Sequence, residues 1–138
     1  MASKYKVDPQ KFSTVLTSCG RFDLLGETVA SFQRYFDVER ILIAEDSEDS
    51  ASAAAFARAF PVADVRVNLP KLGQMRSIDA HYANLSAPYV VHLEDDIRRA
   101  QVRVMRIDGA HLPELRQVDA YVGDREVGGK FCRAGPIF

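Results

Sequence analysis

Along this chain, short runs of unbroken apolar residues alternate with longer stretches in which apolar residues recur every three or four positions. Phe12 to Thr17 is rich in strand formers and closes on a small corner, Ser18-Cys19-Gly20-Arg21. Phe22, Leu25, Val29, Phe32 and Phe36 then recur at helical spacing, which predicts an amphipathic helix of about four turns. Ile41 to Ala44 is continuously apolar, the pattern of a strand buried on both faces of a parallel sheet, and it ends in Glu45-Asp46-Ser47. Ala53, Phe56, Ala57 and Phe60 mark a second helix that stops at Pro61. Val65, Val67 and Leu69 alternate with Arg66 and Asn68, which predicts a strand with one wetter face at or near a sheet edge, ended by Pro70. From Gly73, the residues Met75, Ile78, Tyr82 and Leu85 form a third helical stripe. Pro88 then precedes Tyr89-Val90-Val91-His92-Leu93, which runs into three consecutive carboxylates, Glu94, Asp95 and Asp96.

Four strands alternating with three helices predict an α/β fold, a mostly parallel sheet flanked by helices and joined by right-handed crossovers. The reading is of a single domain, 1–138, with the βα units in 12–97 and an incomplete or irregular C-terminal part in 98–138. Within that part Gln101 to Ile107 reads as one further strand, and Asp108 to Phe138 holds scattered turn residues that look like the middle of something longer. At 138 residues the chain is large enough to bury roughly two-thirds of its unfolded surface. Net charge is −1, so no global basic field recruits nucleic acid, and a polyanion has to be met locally. Cys19 and Cys132 have no metal-type spacing, and a reducing cytoplasm is the expected setting. No apolar stretch approaches the roughly 20 residues of a membrane span, and Met1 to Lys11 lacks a leader's apolar core; peripheral docking at a membrane stays open.

Three adjacent acids repel one another unless a cation neutralises them, and hard oxygen ligands suit magnesium or manganese. In open α/β sheets ligands bind beyond the carboxyl ends of the strands. Those ends carry Thr17, Ser18 and Arg21, then Glu45-Asp46-Ser47, then Glu94-Asp95-Asp96. Other residues read more plainly. His92 is expected to be a packed or hydrogen-bonded core residue, the stripe Phe22, Phe32, Tyr35 and Phe36 to be core, and Cys19 to lack a catalytic partner. His81 and His111 show no informative spacing, and Arg98, Arg99, Arg103 and Arg106 balance the acids before them.

Four ordered segments, Thr14 to Arg21, Ala44 to Ser47, Leu72 to Asp79 and Pro88 to Asp96, together resemble the nucleotide-sugar-binding half of family 2 glycosyltransferases of the GT-A fold. The resemblance covers about residues 12–97 and implies a Rossmann-like GT-A nucleotide-diphospho-sugar transferase half. It implies that Thr17, Ser18 and Arg21 line the base and ribose. Asp46 would accept a hydrogen bond from the base, commonly uracil, and Gln74 and Arg76 would lie against the nucleotide or its diphosphate. Glu94-Asp95-Asp96 is similar to the family's Asp-X-Asp motif. By that likeness Asp96 is the metal ligand, and Glu94 or Asp95 sits nearer the ribose and metal-bound water, with Mn2+ or Mg2+ as cofactor. Glutamate in the first motif position departs from the commonest form. Arg76 reads equally well as a solvated helix residue.

The implied activity is that of a metal-dependent, hexosyltransferase-like enzyme that passes sugar from a UDP-sugar to a saccharide, lipid or protein acceptor. A homo-oligomer is compatible with it. Such an enzyme also needs a general base and an acceptor-binding half. Asp108, Glu114, Asp119, Asp124 and Glu126 follow the acidic motif, and nothing in their spacing selects among them. A shortened chain makes a non-catalytic nucleotide-sugar-binding domain or fragment the first alternative. A receiver-like signalling domain is the second, because Ile41 to Ser47 resembles the acidic start of one. A nucleotidyltransferase would need a Gly-rich basic loop after the first strand, and only Gly20-Arg21 is present.

Overall fold

The structure is a computed structural model that describes residues 4–94, 101–106 and 120–121, with side chains described for residues 4–93. Asp95 and Asp96 lie outside the described residues, and Glu94 enters as backbone. The five acids considered as a general base, Arg98, Arg99, His111 and Cys132 also lie outside them.

In chain order the elements are β1 (Tyr5–Lys6), β2 (Phe12–Ser18), α1 (Phe22–Tyr35), β3 (Phe36–Asp37), β4 (Ile41–Glu45), α2 (Ser50–Ala59), β5 (Ala63–Val67), α3 (Gln74–Tyr82), β6 (Tyr89–Glu94), β7 (Gln101–Arg106) and β8 (Ala120–Tyr121). The central sheet has the order β5-β4-β2-β6-β7-β8, and β1 pairs with β3 in a separate parallel ribbon. The four strands read from the sequence are all parallel, while β7 and β8 continue the sheet antiparallel. The result is an α/β fold with a mostly parallel sheet flanked by helices, compatible with a Rossmann-like arrangement.

Local sequence explains where each helix starts and stops. Asp23 in the first turn of α1 and Arg34 in its last complement the helix dipole. Asp49 caps α2 by accepting the Ser52 N–H at 3.0 Å, and the helix ends at Phe60 ahead of Pro61. The two faces of the sheet are covered by different helices. Phe12, Leu16, Ile41, Ile43, Val91 and Leu93 meet Leu25, Val29 and Phe32 of α1 and Phe56 of α2. Val15, Leu42 and Val90 on the opposite face meet Tyr82, with Ile78 and Leu85 against them. Every residue of β4 is buried, as expected for a strand enclosed on both sides.

Strand order follows from the same covering. The connections through α1 and α2 step in one direction along the sheet, from β2 to β4 to β5, whereas α3 carries the chain back past both to β6. Right-handed crossovers then require α3 on the face opposite α1 and α2. A topological switch point results between β2 and β6, the place where ligands bind in open sheets. The receiver-like alternative is corrected here: it makes β4 its first strand and β6 its third, and that order puts the third strand beside the first, whereas β2 lies between β4 and β6.

Three details differ from the sequence reading. β5 ends at Val67, and Leu69, read as part of the strand, is 67% exposed in the following loop. Met75 is 72% exposed, whereas Ser77 is buried; the first turn of α3 overhangs the strand ends, so its inward face meets a polar loop rather than the sheet core. The β1–β3 ribbon was not expected, since two-residue strands carry no periodicity. His92 is buried with its Nδ1 2.5 Å from the Tyr82 hydroxyl, as a core histidine should be.

Phe32 is 2% exposed and stacked on Phe36 with ring centroids 4.6 Å apart. Phe32→Ala is expected to lower the unfolding free energy by about 3–5 kcal/mol, read as a fall in the urea midpoint without a large change in slope.

Candidate functional site

Beyond the carboxyl ends of β2 and β4 lies a cavity of about 340 Å³, at the lower end of the range for small-molecule sites. Thr17, Ser18, Cys19 and Arg21 border it from β2 and its corner, and Ala44 and Asp46 from β4. Lys71, Gly73, Gln74 and Ser77 close it from the loop and first turns of α3. Five of the expected nucleotide contacts, Thr17, Ser18, Arg21, Asp46 and Gln74, therefore converge. Arg76 is exposed on α3 and is not among the lining residues. Glu94 ends β6 in register with Thr17, which borders this cavity.

Two consecutive carboxylates shape the walls. Glu45, with no exposed surface, accepts the Gly20 N–H at 2.6 Å and the Ser47 N–H at 3.1 Å on Oε1. Gly20 has φ 73°, a conformation that glycine adopts without Cβ strain, and this turns its N–H onto Glu45. Glu45 Oε2 and Ser18 Oγ are each buried with no hydrogen-bond partner among the described residues, and the two residues are opposite one another in the β2–β4 register.

Asp46 holds the other wall. Its Oδ1 accepts the Leu72 N–H at 2.7 Å and the Asn68 amide at 3.0 Å, and its Oδ2 accepts the Gly73 N–H at 2.9 Å. Gly73, at φ 82°, is the second position where a positive φ aims an N–H at a carboxylate. Three of the about four acceptor positions of the Asp46 carboxylate are thereby occupied, leaving one on Oδ2. Burial pushes the Asp46 carboxyl up, but the Leu72 N–H, the Asn68 amide, the Gly73 N–H and the Lys71 charge together hold it below its ordinary value.

Behind Asp46 the network continues. Asn68 Nδ2 lies 2.8 Å from Ser77 Oγ, and Asn68 Oδ1 lies 2.9 Å from His81 Nε2. Burial, assisted by the charge of Arg66, pushes the His81 imidazole down. Sequence reading missed Lys71, Ser77, Asn68 and His81. The offsets of three and four between Ser77, His81 and the helix start were available, but Asn68 joins them from a loop, where no period applies. Cys19 is exposed at the rim as a free thiol.

Among the described residues no three His, Cys, Asp or Glu side chains gather as metal ligands.

Two substitutions separate the carboxylates. Glu45→Ala removes the acceptor for two N–H groups and is expected to destabilise by about 1.5–3 kcal/mol, measured by urea unfolding. For Asp46 the folded value lies below the ordinary 3.8, so its stabilisation is complete above 3.8 and is lost as pH falls through the folded value. Asp46→Asn should therefore be less stable than the native chain at neutral pH, and the two unfolding midpoints should converge as pH falls below 3.8 through the lowered folded value.

Compared with known proteins, the chain matches no family model and no curated protein, and its function has to be read from the residues around this cavity.

Proposed function

We propose that the chain is the donor-binding half of a family 2 glycosyltransferase of the GT-A fold, taking a UDP-sugar and serving transfer of its sugar to a saccharide, lipid or protein acceptor. The observation that carries this reading is the convergence of Thr17, Ser18 and Arg21, Asp46, and Gln74, which come from three separate segments, on one cavity at the carboxyl ends of β2 and β4, beside the switch point. Chance likeness of short segments does not require residues of three of them to line one cavity.

In this reading Thr17, Ser18 and Arg21 border the base and ribose. The remaining acceptor position on Asp46 Oδ2 suits a ring N–H such as that of uracil. Gln74, and Lys71 on the same side, face the phosphates, and the lysine charge opposes that of the diphosphate. Asp96, with Glu94 or Asp95, would hold Mn2+ or Mg2+. A divalent ion there supplies positive charge against the oxygens of the leaving nucleoside diphosphate. The carboxylate set has the hard donor chemistry such an ion needs, and Glu94 ends β6 in register with Thr17 of the cavity wall. Asp46 is committed to the loop before α3, so the base that deprotonates the acceptor is to be sought after Asp96.

Calorimetric titration with UDP and UDP-sugars, with and without manganese, tests the reading. Manganese-dependent binding that weakens at least tenfold in Asp96→Ala is expected, the weight of about 1.4 kcal/mol. Binding indifferent to manganese and to Asp96 would contradict it. Donor binding without hydrolysis or transfer would favour the non-catalytic alternative.

A further inference from the structure

β5 (Ala63–Val67) ends the central sheet on one side, and among the described residues no strand pairs with its outer edge. Its inner edge meets β4 in unbroken register, from Ala63 against Ile41 to Val67 against Glu45. The bonds at the two ends of that ladder fix which backbone groups point which way. The Val62 carbonyl accepts the Ile41 N–H at 2.9 Å, and the Asn68 N–H donates to the Glu45 carbonyl at 2.8 Å. Along a strand the backbone groups of alternate residues turn to the same edge, so those of Asp64 and Arg66 also face β4 and those of Ala63, Val65 and Val67 face outward. The Ala63 N–H is taken by the Phe60 carbonyl at 2.9 Å. The Ala63 carbonyl and both backbone groups of Val65 and Val67 have no hydrogen bond to any described residue.

Native proteins blunt such edges with proline, lysine or a bulge. β5 contains none of the three. It carries one charge of each sign instead. Asp64 and Arg66 are two residues apart and so share a face of the sheet, with side chains 35% and 50% exposed. Within the chain they lie 3.4 Å apart, and Arg40 also pairs with Asp64. Exposed pairs of this kind contribute little, so neither side chain is committed to its neighbour.

This edge is complementary to itself. When two copies of β5 run antiparallel about Val65, each Val65 exchanges both of its outward bonds with its counterpart, and each Val67 N–H meets the Ala63 carbonyl of the other copy. Asp64 then stands opposite Arg66 twice, at the non-hydrogen-bonded positions where side chains approach most closely. Moving the two-fold centre to Asp64 or to Arg66 would set like charges face to face, so backbone and charge select the same register. We propose that β5 is the interaction surface for a second copy of this chain, joined antiparallel about Val65 into a two-fold dimer with one continuous sheet. Because the two β5 strands run in opposite directions, the two strand-end cavities open at opposite ends of the joined sheet.

Sedimentation velocity of the full chain over a range of concentrations, without nucleotide, tests this, with circular dichroism to check that each variant is folded. The native chain should show a reversible equilibrium whose average mass rises toward twice that of one chain. Asp64→Arg sets positive charges against positive across the two-fold, and Arg66→Asp sets negative against negative. Each alone should weaken the dimer at least tenfold. In an equal mixture of the two variants one strand carries two positive charges and the other two negative, so a mixed dimer of native-like affinity should form. Val65→Pro removes an N–H that points away from β4, so the β4–β5 ladder survives while the dimer loses its central bonds. A native chain that stays monomeric at millimolar concentration overturns the proposal. A dimer unmoved by the reversals, or a mixture of the two variants that stays monomeric, overturns it as well. Should a reversal variant fail to fold, Val65→Pro decides, because a native-like dimer in that variant places the interface elsewhere.

Discussion

At the end of β4, Glu45 and Asp46 turn their carboxylates to different loops and hold both. Extended chain sends consecutive side chains to opposite sides, so two adjacent acids can serve two walls of one cavity. Glu45 fixes the corner after β2 through Gly20, and Asp46 fixes the loop before α3 through Leu72, Gly73 and Asn68. Both glycines lie at positive φ, where their N–H groups can point inward, and both acceptors are almost entirely removed from water. Hydrogen bonds to ionised acceptors in such surroundings are stronger than ordinary ones, and losing a partner there leaves a buried group unpaired. Without this pair the strand ends would still form, but the loops that give them a cavity would have no fixed position.

Topology places that pair where it can matter. The sheet reverses its direction of growth between β2 and β6, and the cavity lies beside that point, beyond the ends of β2 and β4. α3 crosses the sheet on the face away from α1 and α2, and its first turn overhangs the opening. Gln74 and Ser77 thereby reach residues of β2 and β4 that are far from them in sequence. The hydrophobic clusters on the two faces hold the sheet and helices; the polar network above them sets the shape of the opening. The hold on the fold and the shape of the opening thus fall to different side chains, and Asp46 fixes the loop before α3.

Much of the framework was legible because it rests on periodicity. The continuous run Ile41 to Ala44 has the pattern of a strand covered on both faces, and the spacing of Phe22, Leu25, Val29 and Phe32 that of one buried stripe of a helix. Thr17, Ser18, Arg21, Asp46 and Gln74 were legible as strand-end or helix-start residues. Asn68, Ser77 and His81 were not, because their contacts join a loop, a helix turn and a strand end through side chains, and such bonds leave no period in the sequence. Met75 misled for a related reason. Its spacing from Ile78 and Tyr82 is helical, but the sheet has ended below it, so an apolar position in the pattern meets solvent.

The central claim is that the cavity above β2 and β4 receives a nucleoside diphosphate on walls set by Glu45 and Asp46. Amide chemical-shift mapping by 1H–15N NMR, with UDP and magnesium added to the isotope-labelled chain, tests it most directly. The account predicts that the largest shifts fall on Ser18 to Arg21, on Asp46 and Ser47, and on Lys71 to Ser77, with little change at the β1–β3 ribbon. Shifts confined to other surfaces, or none at millimolar UDP, would contradict it.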